Sequence, residues 1–225
     1  MNRPYIICHM MMSVDGRIDC AMTEKLKGTE EYYKILEGLN TPTVLSGRVT
    51  AELEMADKEK FFTENNEIIG EESFSKKMSE EGYNVVVDTK GTLLWNSYSE
   101  EKPLLIITNI DVKKEYIDYL NSKNISWIAC GKGKINMKRA MEILKEEFKV
   151  KRMAVVGGGT INGGFLDEKL LDEISILIGA GIDGRKGMTS VFDGMSMERD
   201  LIQLSLKNVQ AFDDEAVWLQ YKVLN

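Results

Sequence analysis

The sequence predicts an α/β fold: a mixed, mostly parallel central sheet with helices on both faces and an antiparallel C-terminal hairpin. Three observations carry that expectation. Short apolar or β-branched runs alternate with segments of helical spacing. The runs before the tail end in loops rich in glycine, hydroxyls and basic residues. The tail itself holds long strand-like runs, the last two separated by the turn-forming Asp213-Asp214-Glu215.

Tyr5–Met12 reads as an apolar first strand closed by the turn pair Asp15-Gly16. Glu30–Leu39 has helical spacing, with Tyr33, Leu36 and Leu39 on roughly one side, and Thr43–Leu45 is a short strand that Gly47 follows. Glu52–Glu81 is charge-rich and weakly periodic, the pattern of an insertion or mobile segment. Asn84–Val87 is a β-branched strand ending at Asp88-Thr89-Lys90-Gly91. Leu104–Ile107 ends at Thr108-Asn109, with Asp111 placed to cap a helix that finishes near Ser122. Ile125–Ala129 ends at Gly131-Lys132-Gly133-Lys134, before a helix over Met137–Lys149. Met153–Val156 precedes Gly157-Gly158-Gly159-Thr160, which opens the next helix. Leu171–Ile178, Leu201–Phe212 and Ala216–Leu224 complete the strands. No repeat, low-complexity stretch or linker interrupts the chain, so one domain over residues 1–225 is expected.

Composition narrows the function. The chain has 225 residues, enough to bury roughly two-thirds of its unfolded surface without disulfide or metal support. Acidic residues outnumber basic ones, 36 to 29, which argues against a nucleic-acid or anionic-membrane partner. A single histidine, His9, and three cysteines without a CxxC pair leave little for metal chemistry. The apolar run at the N-terminus carries His9 and lacks a small-residue cleavage site, so it reads as a strand and not a secretory signal. No run of eighteen apolar residues marks a membrane span, and the odd cysteine count suits a reducing, cytoplasmic compartment.

In open α/β sheets ligands bind beyond the carboxyl ends of the strands. The loops expected there are Ser46–Thr50, Asp88–Thr92, Thr108-Asn109, Gly131–Lys134 and Gly157–Thr160. Bare backbone donors, a helix N-terminus and cations are the groups that hold phosphate. Gly157–Gly159 reads equally as a tight strand-to-helix turn; the other polar loops shift the weight to a phosphate-bearing cofactor. No G-x-x-x-x-G-K-[ST] string is present, and the dinucleotide fingerprint G-x-G-x-x-G fails at Asn162 and sits on a late strand.

Two motifs resemble one family. Met11-Met12-Ser13-Val14-Asp15-Gly16-Arg17-Ile18 is similar to the opening motif of the riboflavin-biosynthesis pyrimidine reductases. Gly157-Gly158-Gly159-Thr160-Ile161-Asn162-Gly163, followed by Leu170-Leu171-Asp172-Glu173-Ile174, resembles their most specific signature. The resemblance implies a dihydrofolate-reductase-like fold, NADPH as hydride donor, a homodimer, and reduction of the ribosylamino group of a phosphoribosylaminopyrimidine. It is to the stand-alone reductase and not to the bifunctional deaminase/reductase. Carried over by position, Gly157, Gly158, Gly159 and Thr160 would cradle the cofactor pyrophosphate, and Thr50 stands where the family binds cofactor. Gly47-Arg48-Val49-Thr50 also resembles the Gly-Arg-x-Thr of dihydrofolate reductases. Thr89 and Lys90 would lie near the adenosine 2′-phosphate, with Lys90 and Arg48 favouring NADPH over NADH.

The departures fall on the substrate side. Val156 stands where the family has an acidic residue, Ala51-Glu52-Leu53-Glu54-Met55-Ala56 replaces Asp-Asp-Pro-x-Leu-Thr, and the first-helix arginine is missing around Leu36–Leu39. Asp15 is the candidate for orienting the substrate or the proton that C=N reduction requires, and Arg17 for a substrate phosphate; a plain turn explains both residues as well. His9 reads as a satisfied core histidine, Cys8 and Cys130 as small buried hydrophobes. A pteridine- or folate-type reductase, or another heterocycle C=N reductase, is the alternative activity. A non-catalytic NADPH-binding module is the alternative of another class.

Overall fold

The structure is a computed structural model that describes residues 2–78, 81–99 and 102–224. In chain order the elements are β1 (Tyr5–Met12), α1 (Cys20–Thr23), α2 (Thr29–Gly38), β2 (Thr43–Gly47), α3 (Arg48–Glu54), β3 (Ser73–Ser75), β4 (Asn84–Val87) and β5 (Leu104–Thr108). They continue with α4 (Lys114–Ser122), β6 (Ser126–Ala129), α5 (Met137–Glu146), β7 (Arg152–Val155), α6 (Gly159–Asp167), β8 (Glu173–Ile178), β9 (Leu204–Ala211) and β10 (Val217–Val223). The fold is mixed α/β, with largely parallel strands, flanking helices and an antiparallel C-terminal hairpin, as the sequence predicts.

The chain forms two compact units: a central one around Pro42–Lys151 and a terminal one made of Tyr5–Thr41 and the chain from Arg152 onward. In the central unit β2, β4, β5 and β6 pair in parallel, and β3 closes the β6 edge in antiparallel fashion. Every residue of β5 and β6 is buried. On one face α4 buries Tyr116, Ile117 and Leu120 in a cluster with Val86, Leu93, Trp95, Ile106 and Trp127. Each of these side chains is worth roughly 1.5–3 kcal/mol of hydrophobic stabilisation. Helix α5 buries Ala140, Met141, Ile143 and Leu144.

In the terminal unit β7, β1 and β8 are parallel, while β10 runs antiparallel to β8 and β9 antiparallel to β10. Ile7, Leu177 and Ala216 pack against Ile35 and Leu39 at and just beyond the end of α2. His9 is the core histidine the sequence predicts. It is fully buried and stacked on Tyr32 at 4.4 Å, with one ring nitrogen 2.9 Å from Ser175 Oγ and the other 3.0 Å from the Tyr32 carbonyl. Cys8 and Cys130 are also buried, and burial pushes the Cys130 thiol up to about 11. Among the described residues no helix is long and apolar enough to cross a membrane.

Two expectations need correction. Asp111 does not cap α4, whose N-cap is Lys113; its carboxylate instead accepts from the Gly133 amide at 2.6 Å. Glu52–Glu81 is not a bare insertion, although Ser79 and Glu80 lie outside the described residues. The segment begins in α3 and contains β3; between them it forms bridges at Lys60 with Leu93 and Ile68 with Lys113.

Candidate functional site

Because β2, β4, β5 and β6 are parallel, the central unit gathers four of the expected loops at one edge. Gly47 ends β2 and serves as N-cap of α3. Arg48 opens that helix and pairs with Glu52, which also takes Lys60 at 2.7 Å. Thr50 is half-buried in the first turn.

At the end of β4, Asp88 is completely buried. Its Oδ2 accepts from the amides of Thr92 at 2.7 Å and Leu93 at 2.9 Å, and from the Tyr116 hydroxyl at 3.2 Å. Thr89 lies half-buried and Lys90 exposed on the outside of this turn. On the neighbouring strand end, Thr108 Oγ1 donates to the Thr89 carbonyl at 3.3 Å. Asn109 Oδ1 accepts from the Asp111 amide at 3.0 Å, and Lys132 and Lys134 are exposed.

The terminal unit gathers the ends of β1, β7 and β8. Asp15 projects from the turn after β1. Its carboxylate accepts from Ser13 Oγ at 2.7 Å and from the amides of Asp183 and Gly184, each at 3.0 Å. The Ser13 hydroxyl and those amides hold its pKa down at about 2. Arg17 Nε lies 3.8 Å from the same carboxylate, and its Nη1 donates to the Met188 carbonyl at 2.6 Å. Arg185 is shared between Asp183 at 2.5 Å and Asp19 at 3.4 Å. The turn after β1 is thus latched to the 181–190 segment by charge-assisted hydrogen bonds.

The triple glycine follows β7 with a cis peptide between Gly157 and Gly158. Gly157 has φ +128°, a conformation L side chains rarely adopt. Gly158 is the N-cap of α6, and Thr160 is exposed in the first turn. The glycines divide by surroundings. A Cβ on Gly159 would strike the Ser190 carbonyl and one on Gly163 the Asp193 carbonyl, whereas a Cβ on Gly158 would meet nothing within 4 Å. Gly159 and Gly163 are therefore needed by the packing of α6 on 189–193. Gly158 faces open space beside a helix N-terminus whose first amides have no intrahelical acceptor. A helix start left bare in this way suits a phosphate group.

Within the central unit Gly47, Arg48, Thr50, Thr89 and Lys90 thus share one edge; within the terminal unit Asp15, Arg17 and Gly157–Thr160 share another. Sequence reasoning missed the role of 181–190 as the anchor of Asp15. The dense glycines of that stretch were the available signal, and the partners lie 168 residues apart in sequence.

Comparison with known proteins identifies the family. The family model described as the RibD C-terminal domain matches residues 4–218. RibD of Acinetobacter baumannii superimposes with a TM-score of 0.69 at 16% identity, covering 100% of this chain and 59% of that one. A pyrimidine reductase-like protein of Corynebacterium diphtheriae gives 0.71 at 14% identity, covering 100% and 93%. The riboflavin biosynthesis reductase Rib7 of Saccharomyces cerevisiae gives 0.65 at 17%, covering 100% and 91%. The chain thus spans little more than half of the bacterial RibD and nearly all of the other two. With a family match over most of its length, this chain belongs to the RibD C-terminal domain family.

Proposed function

We propose that residues 1–225 act as one reductase domain that uses NADPH to reduce a phosphoribosylaminopyrimidine, as a 5-amino-6-(5-phosphoribosylamino)uracil reductase or a close relative with an altered substrate. Family membership and the likeness to a yeast riboflavin biosynthesis reductase support an oxidoreductase of this class. The observation that carries the cofactor reading is Gly158, whose missing side chain leaves open space where that of Gly159 does not.

Gly157, Gly158, Gly159 and Thr160 would hold the pyrophosphate through backbone amides at the start of α6. By the family resemblance, Gly47, Arg48, Thr50, Thr89 and Lys90 are the candidates in the central unit for the adenosine end and its 2′-phosphate. When bound, NADPH supplies the hydride for the C=N carbon. The nitrogen then needs a proton, and Asp15 is not its donor: with a pKa near 2 it is a carboxylate at neutral pH. Asp15 instead orients the substrate or a proton-carrying water, and Arg17 binds the substrate beside it. A second reading, an altered heterocyclic acceptor, draws support from the arginines of this edge: Arg17 and Arg185 are both engaged by carboxylates of the chain.

A homodimer, implied by the family resemblance, gains support from β9. Its Leu204, Leu206 and Val209 are exposed on an unpaired sheet edge, a surface that proteins normally cover. Sedimentation equilibrium tests it: twice the chain mass is expected, and a monomer at micromolar concentration would exclude it. A cytoplasmic location suits the odd cysteine count. The experiment for the function is fluorescence titration with NADPH and NADH, followed by turnover of the pyrimidine intermediate. A dissociation constant of about 10 μM or tighter for NADPH, with NADH weaker, is expected. Binding of neither nucleotide would remove the reductase reading.

A further inference from the structure

Asp88 ends β4 directly before Thr89 and Lys90, yet its carboxylate points away from them into the core. It has no solvent exposure, and one oxygen, Oδ2, takes three donors: two backbone amides and the Tyr116 phenol. Further contacts hold the turn down. The Gly91 amide donates to the Asp88 carbonyl at 3.2 Å, and the Asp88 amide donates to the Ile107 carbonyl at 3.0 Å. Gly91 has φ +62°, and a Cβ there would come within 2.5 Å of Val112 and 2.6 Å of the Tyr116 ring.

An acid at a strand end in a dinucleotide-binding fold commonly reads the ribose hydroxyls, which favours the cofactor without a 2′-phosphate. Here the same kind of side chain is spent on the protein's own backbone. With the turn's inner amides collected on one buried oxygen, the Thr89 hydroxyl and the Lys90 ammonium are left on the outer side. We propose that Asp88 is the positioning residue for nucleotide selectivity: it clamps the 88–93 turn so that Thr89 and Lys90 present to a 2′-phosphate, while its own charge is turned inward. The proposal rests on the NADPH reading above.

Two substitutions separate a positioning role from a merely structural one. Asp88→Asn keeps an acceptor for the three donors and places its amide nitrogen where Oδ1 now lies, a buried position with no hydrogen-bond donor against it. Asp88→Ala leaves the two amides without an acceptor. The full-length chain and both variants are titrated with NADPH and NADH by tryptophan fluorescence, Trp95 lying in the same apolar cluster as Tyr116. The preference for NADPH is expected to fall by about tenfold in Asp88→Ala, the effect of losing one charge-assisted contact, and to stay within about threefold of wild type in Asp88→Asn. An unchanged preference in a folded Asp88→Ala overturns the positioning role and leaves the NADPH reading intact. Wild-type protein that binds neither nucleotide removes both. Amide hydrogen exchange on the wild-type chain tests the clamp itself even where Asp88→Ala does not fold. The Thr92 and Leu93 amides are expected to be protected without nucleotide, and exchange at open-loop rates overturns the clamp.

Discussion

The loop edges of the two units differ in how much positive charge they leave unspent. In the central unit Asp88 turns inward onto the amides of Thr92 and Leu93, Asp111 accepts from that of Gly133 and Glu52 takes Arg48 and Lys60, while Lys90, Lys132 and Lys134 stay exposed. In the terminal unit acids and arginines meet each other: Asp15 with Arg17, and Asp183 and Asp19 with Arg185. The first edge keeps free positive charge for an anion. The second has neutralised its own charges and is left with backbone amides at a helix start as its anion-binding groups. An edge of the first kind depends on side chains and is screened by salt; one of the second depends on glycine and backbone shape.

The largest expected effect tests that dependence on shape. Gly163→Ala puts a methyl group into the Asp193 carbonyl, where backbone cannot yield without separating α6 from 189–193. A loss of more than about 3 kcal/mol is expected in denaturant unfolding, at the severe end for overpacking. Gly158→Ala meets only open space, at φ −85° and ψ −175°, which alanine tolerates. Its stability should stay within about 1 kcal/mol of wild type while NADPH binding weakens at least roughly tenfold. Equal loss of stability in both variants would mean that the triplet serves packing alone and that the contrast between the two edges is mistaken.

A smaller effect sharpens the contrast through pH. The one histidine of the chain lies in the terminal unit, and burial pulls its pKa down to about 4. The Tyr32 carbonyl can only accept, so Nε2 carries the proton; Nδ1 then accepts from Ser175, whose oxygen accepts from Trp218 Nε1 at 2.8 Å. The neutral ring is fully satisfied, and burial away from water disfavours its cation. The folded pKa lies below the unfolded value of about 6.5, so the unfolded chain binds the proton first. The stabilisation is complete above that value and is lost as pH falls toward 4. About 2 kcal/mol should disappear between pH 7 and pH 5 in urea titrations, with amide exchange quickening first in the terminal unit. A flat profile over this range would place His9 in a wetter setting than its burial indicates.

What the sequence revealed and what it hid follows from range. The boundaries of β1 and β4 match the reading residue for residue, because each is a local run of apolar or β-branched side chains. The triple glycine was legible as a loop before a helix for the same reason. Asp111 was misread because a cap and a loop staple look alike locally; only the β6 loop, 22 residues away, decides between them. The strap from α3 to β3 escaped because its order comes from bridges to Leu93 and Lys113 and not from periodicity. The latch on Asp15 needed a partner 168 residues distant, which no spacing rule connects.

The smallest expected effect concerns that latch. Ser13 Oγ and the Asp183 and Gly184 amides keep Asp15 ionised down to about pH 2, so it carries one charge state across any working range. Asp15→Asn exchanges one acceptor oxygen for an amide group that faces a backbone donor, loosening one tie and leaving the others. The rate on the pyrimidine substrate should fall by no more than about tenfold, the effect of one imperfect hydrogen bond. The shape of kcat/KM against pH between 5 and 9 should not change, since no titration of Asp15 lies within it. An acidic limb that vanishes in Asp15→Asn would make the carboxyl a proton donor after all. It would then be the central unit alone that spends its acids on the backbone, with the terminal unit holding its own in reserve for chemistry.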